Sequence, residues 1–235
     1  MVLLEKVEIH DELNPILWEG DKLKEEVQSR LMEIVEEFQE FVSIPIHIID
    51  VYVLGSNAQY NYTEHSDLDL HLITNFVTSE MSEDIAEALY NYEKASFNGH
   101  YDIDIKGIPV ELYVQDVKAM NASKGVYSLY RDEWITKPEK ELEPPELDDD
   151  KIDLEYNELI DEVEIALASN KSSDVADMID KIYLMRRESL AQDGEYGVGN
   201  QVFKKLRNNG YLDKLKDRMY ELRSDELSLE NLQRR

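Results

Sequence analysis

The chain has 235 residues, 42% of them apolar, which is enough for one sizeable domain or two small ones with packed cores. Fifty-two acidic against twenty-five basic residues leave a formal charge of −27, which repels polyanions and weighs against an extended, sequence-blind grip on DNA. There is no cysteine, so disulfides, thiolate metal sites and thiol nucleophiles are excluded. The imbalance is uneven: Lys181 to Arg218 holds nine basic and five acidic residues, leaving room for a confined basic surface. The amino terminus turns acidic too soon for a signal peptide, and no apolar run approaches the ~18 residues of a membrane span. The expectation is a cytoplasmic protein.

In chain order, Asn14-Pro15 marks a turn that sets Trp18 as an apolar anchor. Leu23, Val27, Leu31, Ile34, Val35, Phe38, Phe41 and Val42 then recur at helical spacing, predicting a helix over 22–42 that covers one sheet face. Pro45 stops it, and a strand follows over 46–54, with Asp50 its only acidic interruption. A polar, tyrosine-bearing connection over 57–64, read as a helical turn, leads into a second strand over 66–73. An amphipathic helix is expected over 80–97, with Met81, Ile85, Ala88, Leu89, Tyr92 and Ala95 on its apolar side and Asn98-Gly99 as its stop. Two alternating runs, 100–105 and 108–114, joined by Lys106-Gly107, read as an antiparallel hairpin. The stretch 137–151 is rich in proline and acid and reads as a linker. Helices are expected at 152–168, 174–191, 200–208 and 211–222, and the last residues, 228–235, are expected to fray. The organisation is therefore α+β: a mixed sheet flanked by helices in 1–136, the linker 137–151, and a small helical bundle in 152–235.

The chemistry-bearing pattern is Gly55-Ser56 at the end of one strand, then ten residues, then Asp67-Leu68-Asp69 on the next. Glycine permits a tight turn and close backbone approach to an anion. Two aspartates two residues apart on a strand leave the same face, while Leu68, Leu70 and Leu72 point the other way into the core. Moving a phosphorus centre that bears several negative charges calls for divalent cations. A pair of them needs about three convergent carboxylates. The third is expected on a neighbouring strand at Glu111, with Asp104 and then Asp102 as alternatives. Oxygen ligands of this kind suit Mg²⁺ or Mn²⁺. His71 shares the Asp69 face and reads as a supporting or plain surface residue. Tyr60 and Tyr62 read as covers of a core edge rather than as base-stacking groups. The triphosphate would also need positive charge, and no Lys or Arg lies between Asn57 and Ser66; Arg187, Lys204 and Lys205 are the candidates. Asn200, after Gly197-Val198-Gly199, is a candidate cap of a helix whose amino terminus could receive an anion.

The order helix, strand, Gly-Ser, Asp-x-Asp on a strand and a further strand-borne carboxylate resembles the nucleotidyltransferase superfamily that includes DNA polymerase beta. The resemblance spans 22–115. The whole chain, including Gly125-Val126-Tyr127-Ser128-Leu129 and Trp134, is also similar to uncharacterised phage-encoded nucleotidyltransferases. The resemblance implies a metal-dependent, phage-like enzyme that moves a nucleoside monophosphate from a nucleoside triphosphate such as ATP to a hydroxyl and releases pyrophosphate. The acceptor would be a small molecule, a protein or an RNA end. It implies Asp67, Asp69 and Glu111 as metal ligands and catalytic residues, and Gly55, Ser56 and Asn57 as nucleotide-binding. An antitoxin-like branch carries a basic residue shortly after Gly-Ser, where this chain has Asn57-Ala58-Gln59-Tyr60. The other reading is a non-catalytic nucleotide-binding or acidic protein-interaction module on the same fold.

Overall fold

The computed structural model describes residues 9–77, 82–119, 123–140 and 147–228. Met81, the acidic proline stretch 141–146 and the tail from 229 lie outside the described residues. The chain divides into two compact units on either side of that proline stretch, each with its own apolar core.

The first unit opens with a short hairpin, β1 (Trp18–Glu19) and β2 (Lys22–Leu23), turned at Gly20 with φ of 60°. Lys22 and Leu23 therefore belong to a strand, and α1 (Glu25–Phe41) starts after the extended residue Lys24 rather than at residue 22. Val27, Leu31, Ile34, Val35 and Phe38 form its buried stripe. The next strand, β3 (Asp50–Leu54), is shorter than its apolar run because pairing begins only at Asp50. After a 3-10 turn at Ser56–Ala58, β4 (Leu68–Thr74) runs back beside β3. Helix α2 (Glu83–His100) then carries the chain to β5 (Asp104–Ile105) and β6 (Ile108–Asp116), followed by β7 (Val126–Ser128) and β8 (Glu133–Thr136).

Among the described residues the main sheet has the order β5-β6-β4-β3-β7-β8, parallel only between β4 and β6 and antiparallel elsewhere. Leu68, Leu70 and Leu72 of β4 are fully buried, as expected, on one face with Val51, Val53 and Leu112, and α1 packs into the same core. The opposite face carries Tyr52, Asp69, His71, Glu111 and Tyr113. The expected hairpin at Lys106-Gly107 is present: both residues have positive φ, 55° and 84°, as a tight two-residue turn demands.

Helix α2 departs from the sequence reading in two ways. Its buried positions are Ala86, Tyr90, Glu93 and Phe97, whereas Ile85 and Tyr92 are exposed at 59% and 70%, and Ala88 and Ala95 also face outward. The helix turns this way because the Glu93 carboxylate accepts hydrogen bonds from the Ser43 amide and hydroxyl, and Phe97 packs edge-on against Phe38 and Phe41. Nor does Asn98-Gly99 stop the helix, which continues to His100. The Asn98 side chain instead donates to the Leu112 carbonyl at 2.8 Å and accepts from its amide at 3.2 Å.

Among its described residues the second unit has four α-helices, α3 (Asp149–Leu167), α4 (Ser172–Gln192), α5 (Val198–Asn208) and α6 (Tyr211–Leu227), close to the expected spans. The last residues assigned to the linker, 149–151, form the first turn of α3, capped where Asp148 accepts from the Lys151 amide at 3.0 Å. Gly197 and Gly199 lie so close to α4 that an added Cβ would meet Ser189 Oγ at 2.4 Å and Ser189 Cβ at 3.0 Å. Asn200 is not the cap expected of it. It lies inside the first turn of α5, its amide donates to Ser189 Oγ and its side chain to the Glu195 carbonyl, so this helix start is filled by α4 rather than shaped for an anion.

The two views of α2 are separable by substitution. Phe97→Ala is expected to cost about 3–5 kcal/mol in urea unfolding, and Tyr92→Ala to change stability by less than about 0.5 kcal/mol.

Candidate active site

Strand pairing assembles the site. Leu54, the last residue of β3, is level with Asp69, and Asp69 in turn is level with Glu111 of the parallel neighbour β6. Residues opposite one another in a sheet share a face, so the two carboxylates project side by side from adjacent strands. Asp67 immediately precedes β4 and is, like Asp69 and Glu111, half-buried. Asp104 and Asp102 are less well placed. Asp104 belongs to β5, on the far side of β6 from β4, and accepts the Gly107 amide of its own turn at 2.7 Å; Asp102 precedes it and is exposed.

Gly55 joins the two halves of the pattern. Its φ is 81°, and a Cβ added to it would stand 2.0 Å from Asp69 Oδ2. The carboxylate thus occupies the space that any other residue's side chain would take, directly against the Gly-Ser turn. Ser56 Oγ donates to Ser66 Oγ at 2.7 Å, which ties the turn to the residue before Asp67.

Asn57 is placed differently from its expected role at the nucleotide. Its side chain is fully buried and every polar atom is used: Nδ2 donates to the Ser66 and Asp67 carbonyls, both at 2.9 Å, and Oδ1 accepts from Asn14 at 2.8 Å. Its carbonyl accepts the Trp18 indole N–H at 2.7 Å. A side chain sealed in this way does not reach a ligand; it fixes the glycine-serine turn to the backbone that presents Asp67. Its partners Asn14 and Trp18 were not legible as site residues, although Asn-Pro and an isolated tryptophan marked an anchored turn.

Farther along the same face, His71 Nδ1 lies 2.7 Å from Gln115 Oε1, its ring tilts against Tyr113 at 4.7 Å, and Lys94 lies over the Tyr113 ring at 4.1 Å. Burial pushes the imidazole below its usual range; Gln115 and Glu111 oppose this and Lys94 reinforces it. Asp50, the acid within the first strand, is buried, accepts from Ser128 Oγ at 2.6 Å and faces Arg131 at 3.1 Å, so it serves the sheet. Tyr62 stacks on His10 and Tyr60 packs at the core edge, in keeping with their reading as covers.

Of the basic candidates, Arg187 is an exposed residue of α4, Lys204 pairs with Glu195 at 3.2 Å, and Lys205 pairs with Asp153 at 2.6 Å over the Tyr156 ring. All three belong to the helical unit. Among the described residues no three His, Asp or Glu side chains are already gathered as a cation site, and neither Asp67 nor Asp69 stands without a partner.

A family model described as a nucleotidyltransferase domain matches residues 31–153. The chain belongs to this nucleotidyltransferase domain family. The match covers the sheet, the Gly-Ser turn and all three carboxylates, and it agrees with the mixed sheet flanked by helices. Comparisons with curated proteins and with solved structures return no match. No helix among the described residues is long and apolar enough to cross a membrane.

Gly55→Ala is expected to abolish activity, since its methyl group and Asp69 cannot share one position. Asn57→Ala is expected to lower stability by about 1–3 kcal/mol through the buried groups left unpaired. Thermal melts paired with pyrophosphate release would check both.

Proposed function

We propose that this nucleotidyltransferase transfers a nucleoside monophosphate from a nucleoside triphosphate to a hydroxyl acceptor and depends on a divalent cation. The observation that supports it is the meeting of Gly55 with the Asp69 carboxylate, in register with Glu111. A backbone turn that accepts phosphate and carboxylates that accept a cation are the two things a triphosphate site needs, and here they touch.

Asp67, Asp69 and Glu111 would hold Mg²⁺ or Mn²⁺, since an all-oxygen donor set suits a hard cation. When bound, such cations neutralise charge on the triphosphate and polarise the reacting phosphoryl group. Gly55 would leave the backbone open to the phosphates, and the Ser56 hydroxyl would have to turn its proton from Ser66 Oγ to a phosphate oxygen. The acceptor oxygen forms a bond to the α-phosphorus as the bond to the pyrophosphate oxygen breaks, and Glu111 helps to take up the acceptor proton. The acceptor is a small molecule, a protein side chain or an RNA end, and the site of action is intracellular. The net charge of −27 disfavours long DNA.

Like-charged carboxylates on one face repel each other until a cation joins them. Mg²⁺ with a nucleoside triphosphate at about 100 times its dissociation constant should add ~2.7 kcal/mol, raising the melting temperature by roughly 5 °C or more. Asp67→Asn/Asp69→Asn should show no such rise and should release no pyrophosphate. Equal shifts in both proteins would reject a cation site at these residues, and a shift without turnover would support the binding-module reading.

A further inference from the structure

We propose that the groove between α3 and α4 of the helical unit docks a basic amphipathic helix of a partner protein. The inference goes beyond the transferase reading and does not rest on it. Three observations converge on it.

The first is shape. The carboxyl end of α3 and the first turns of α4 enclose a groove of about 600 Å³, to which Ile165, Ala166 and Met178 give an apolar lining. The core of the unit takes Ile152, Leu159, Val163 and Ala166 from α3 and leaves Ile165 outside it, 73% exposed. An aliphatic side chain held at the mouth of a groove is an anchor point for an apolar side chain from outside.

The second is spacing. Glu162 and Ile165 on α3, and Asp174, Asp177 and Lys181 on α4, line the groove at intervals of three and four residues, so each helix presents one continuous ridge. The ion pair of Lys181 with Glu162 holds the two ridges side by side. Two neighbouring ridges of this kind form the seat into which a third helix lays its apolar stripe.

The third is charge, which selects the occupant. Among the described residues the lining holds three acids, Glu162, Asp174 and Asp177, and one base, Lys181, which Glu162 already engages. Asp174 accepts from the Ser169 hydroxyl at 2.7 Å, a bond that leaves its charge in place. The amino terminus of α4, which would otherwise draw an anion, is taken by Glu226, whose carboxylate accepts from the Ser172 amide at 3.0 Å and the Ser172 hydroxyl at 2.7 Å. At the carboxyl end of α3, Arg218 donates to the Ser169 carbonyl at 3.1 Å but is itself paired with Glu221. The groove therefore keeps a negative sign around an apolar lining, and its complement is a stripe of apolar side chains flanked by Lys or Arg. The net charge of −27 would draw such a helix in from a distance and repel an acidic one.

The test uses a fluorescein-labelled synthetic helix of leucine and lysine, with leucines at every third and fourth position, titrated with the full-length protein at about 0.15 M salt and followed by anisotropy. The parent should bind it and should not bind the same helix with glutamate in place of lysine. Ile165→Asp should weaken binding by about tenfold or more, although it adds an acid and would strengthen an attraction driven by charge alone. Asp177→Lys should weaken it by a similar factor, whereas Glu40→Lys, the same gain of a lysine for an acid on exposed α1, should bind as the parent does. Ile165 and Asp177 are both exposed, so the melting temperatures of these variants should match the parent. Failure of the parent to bind, unchanged binding by Ile165→Asp, or an equal loss in Glu40→Lys would overturn the groove as a docking site. A dimer of the parent in sedimentation that Ile165→Asp abolishes would overturn the partner helix in favour of a second copy of the chain.

Discussion

The site depends on a steric exclusion: the Asp69 carboxylate fills the volume in which residue 55 would place a side chain. A positive φ and an absent Cβ are both required at residue 55, so glycine is the residue that lets the Gly-Ser turn and the carboxylate strand come into contact. That contact needs a fixed register between β3 and β4, because a slip of one residue would turn Asp69 into the core and Leu70 onto the face of Glu111. The leucines on the opposite face supply the penalty that prevents the slip, since each is fully buried.

Hydrogen bonding completes what sterics begin. The loop between Ser56 and Asp67 has little regular structure of its own, and Asn57 replaces it with two donations to consecutive carbonyls at 2.9 Å. Asn14 and Trp18 hold Asn57 in turn, so the chain's first hairpin, far from the carboxylates in sequence, braces them in space. Buried amide networks of this kind are worth more complete than in part, because each unpaired member costs its desolvation.

What was legible in the sequence followed from local periodicity. Leu68, Leu70 and Leu72 alternate, Lys106-Gly107 has the chemistry of a tight turn, and the four C-terminal helices have clear 3.6-residue stripes, so all of these were readable. The Gly-Ser and Asp-x-Asp pair was readable for the same reason, with a spacing that set it apart from an ordinary polar strand. The orientation of α2 was not, because Glu93 is drawn inward by Ser43, fifty residues away, and apolar Ile85 and Tyr92 are left outside. Asn57 has the composition of an exposed loop residue, and only the tertiary arrangement reveals that it is sealed. β7 and β8 are too short to announce themselves, and with them the position of Gly125 against Ala58 stayed hidden.

Asn98 has a consequence for how the protein behaves at high concentration. The outer partner β5 covers only the start of β6, so the rest of that strand presents peptide groups outward at the margin of the sheet. A bare margin invites a strand from another molecule to dock there. By taking both the amide and the carbonyl of Leu112, the Asn98 carboxamide acts as a one-residue counterfeit strand. Helix α2 thereby closes the place where edge-to-edge growth between copies would begin, and the acid-rich surface adds mutual repulsion.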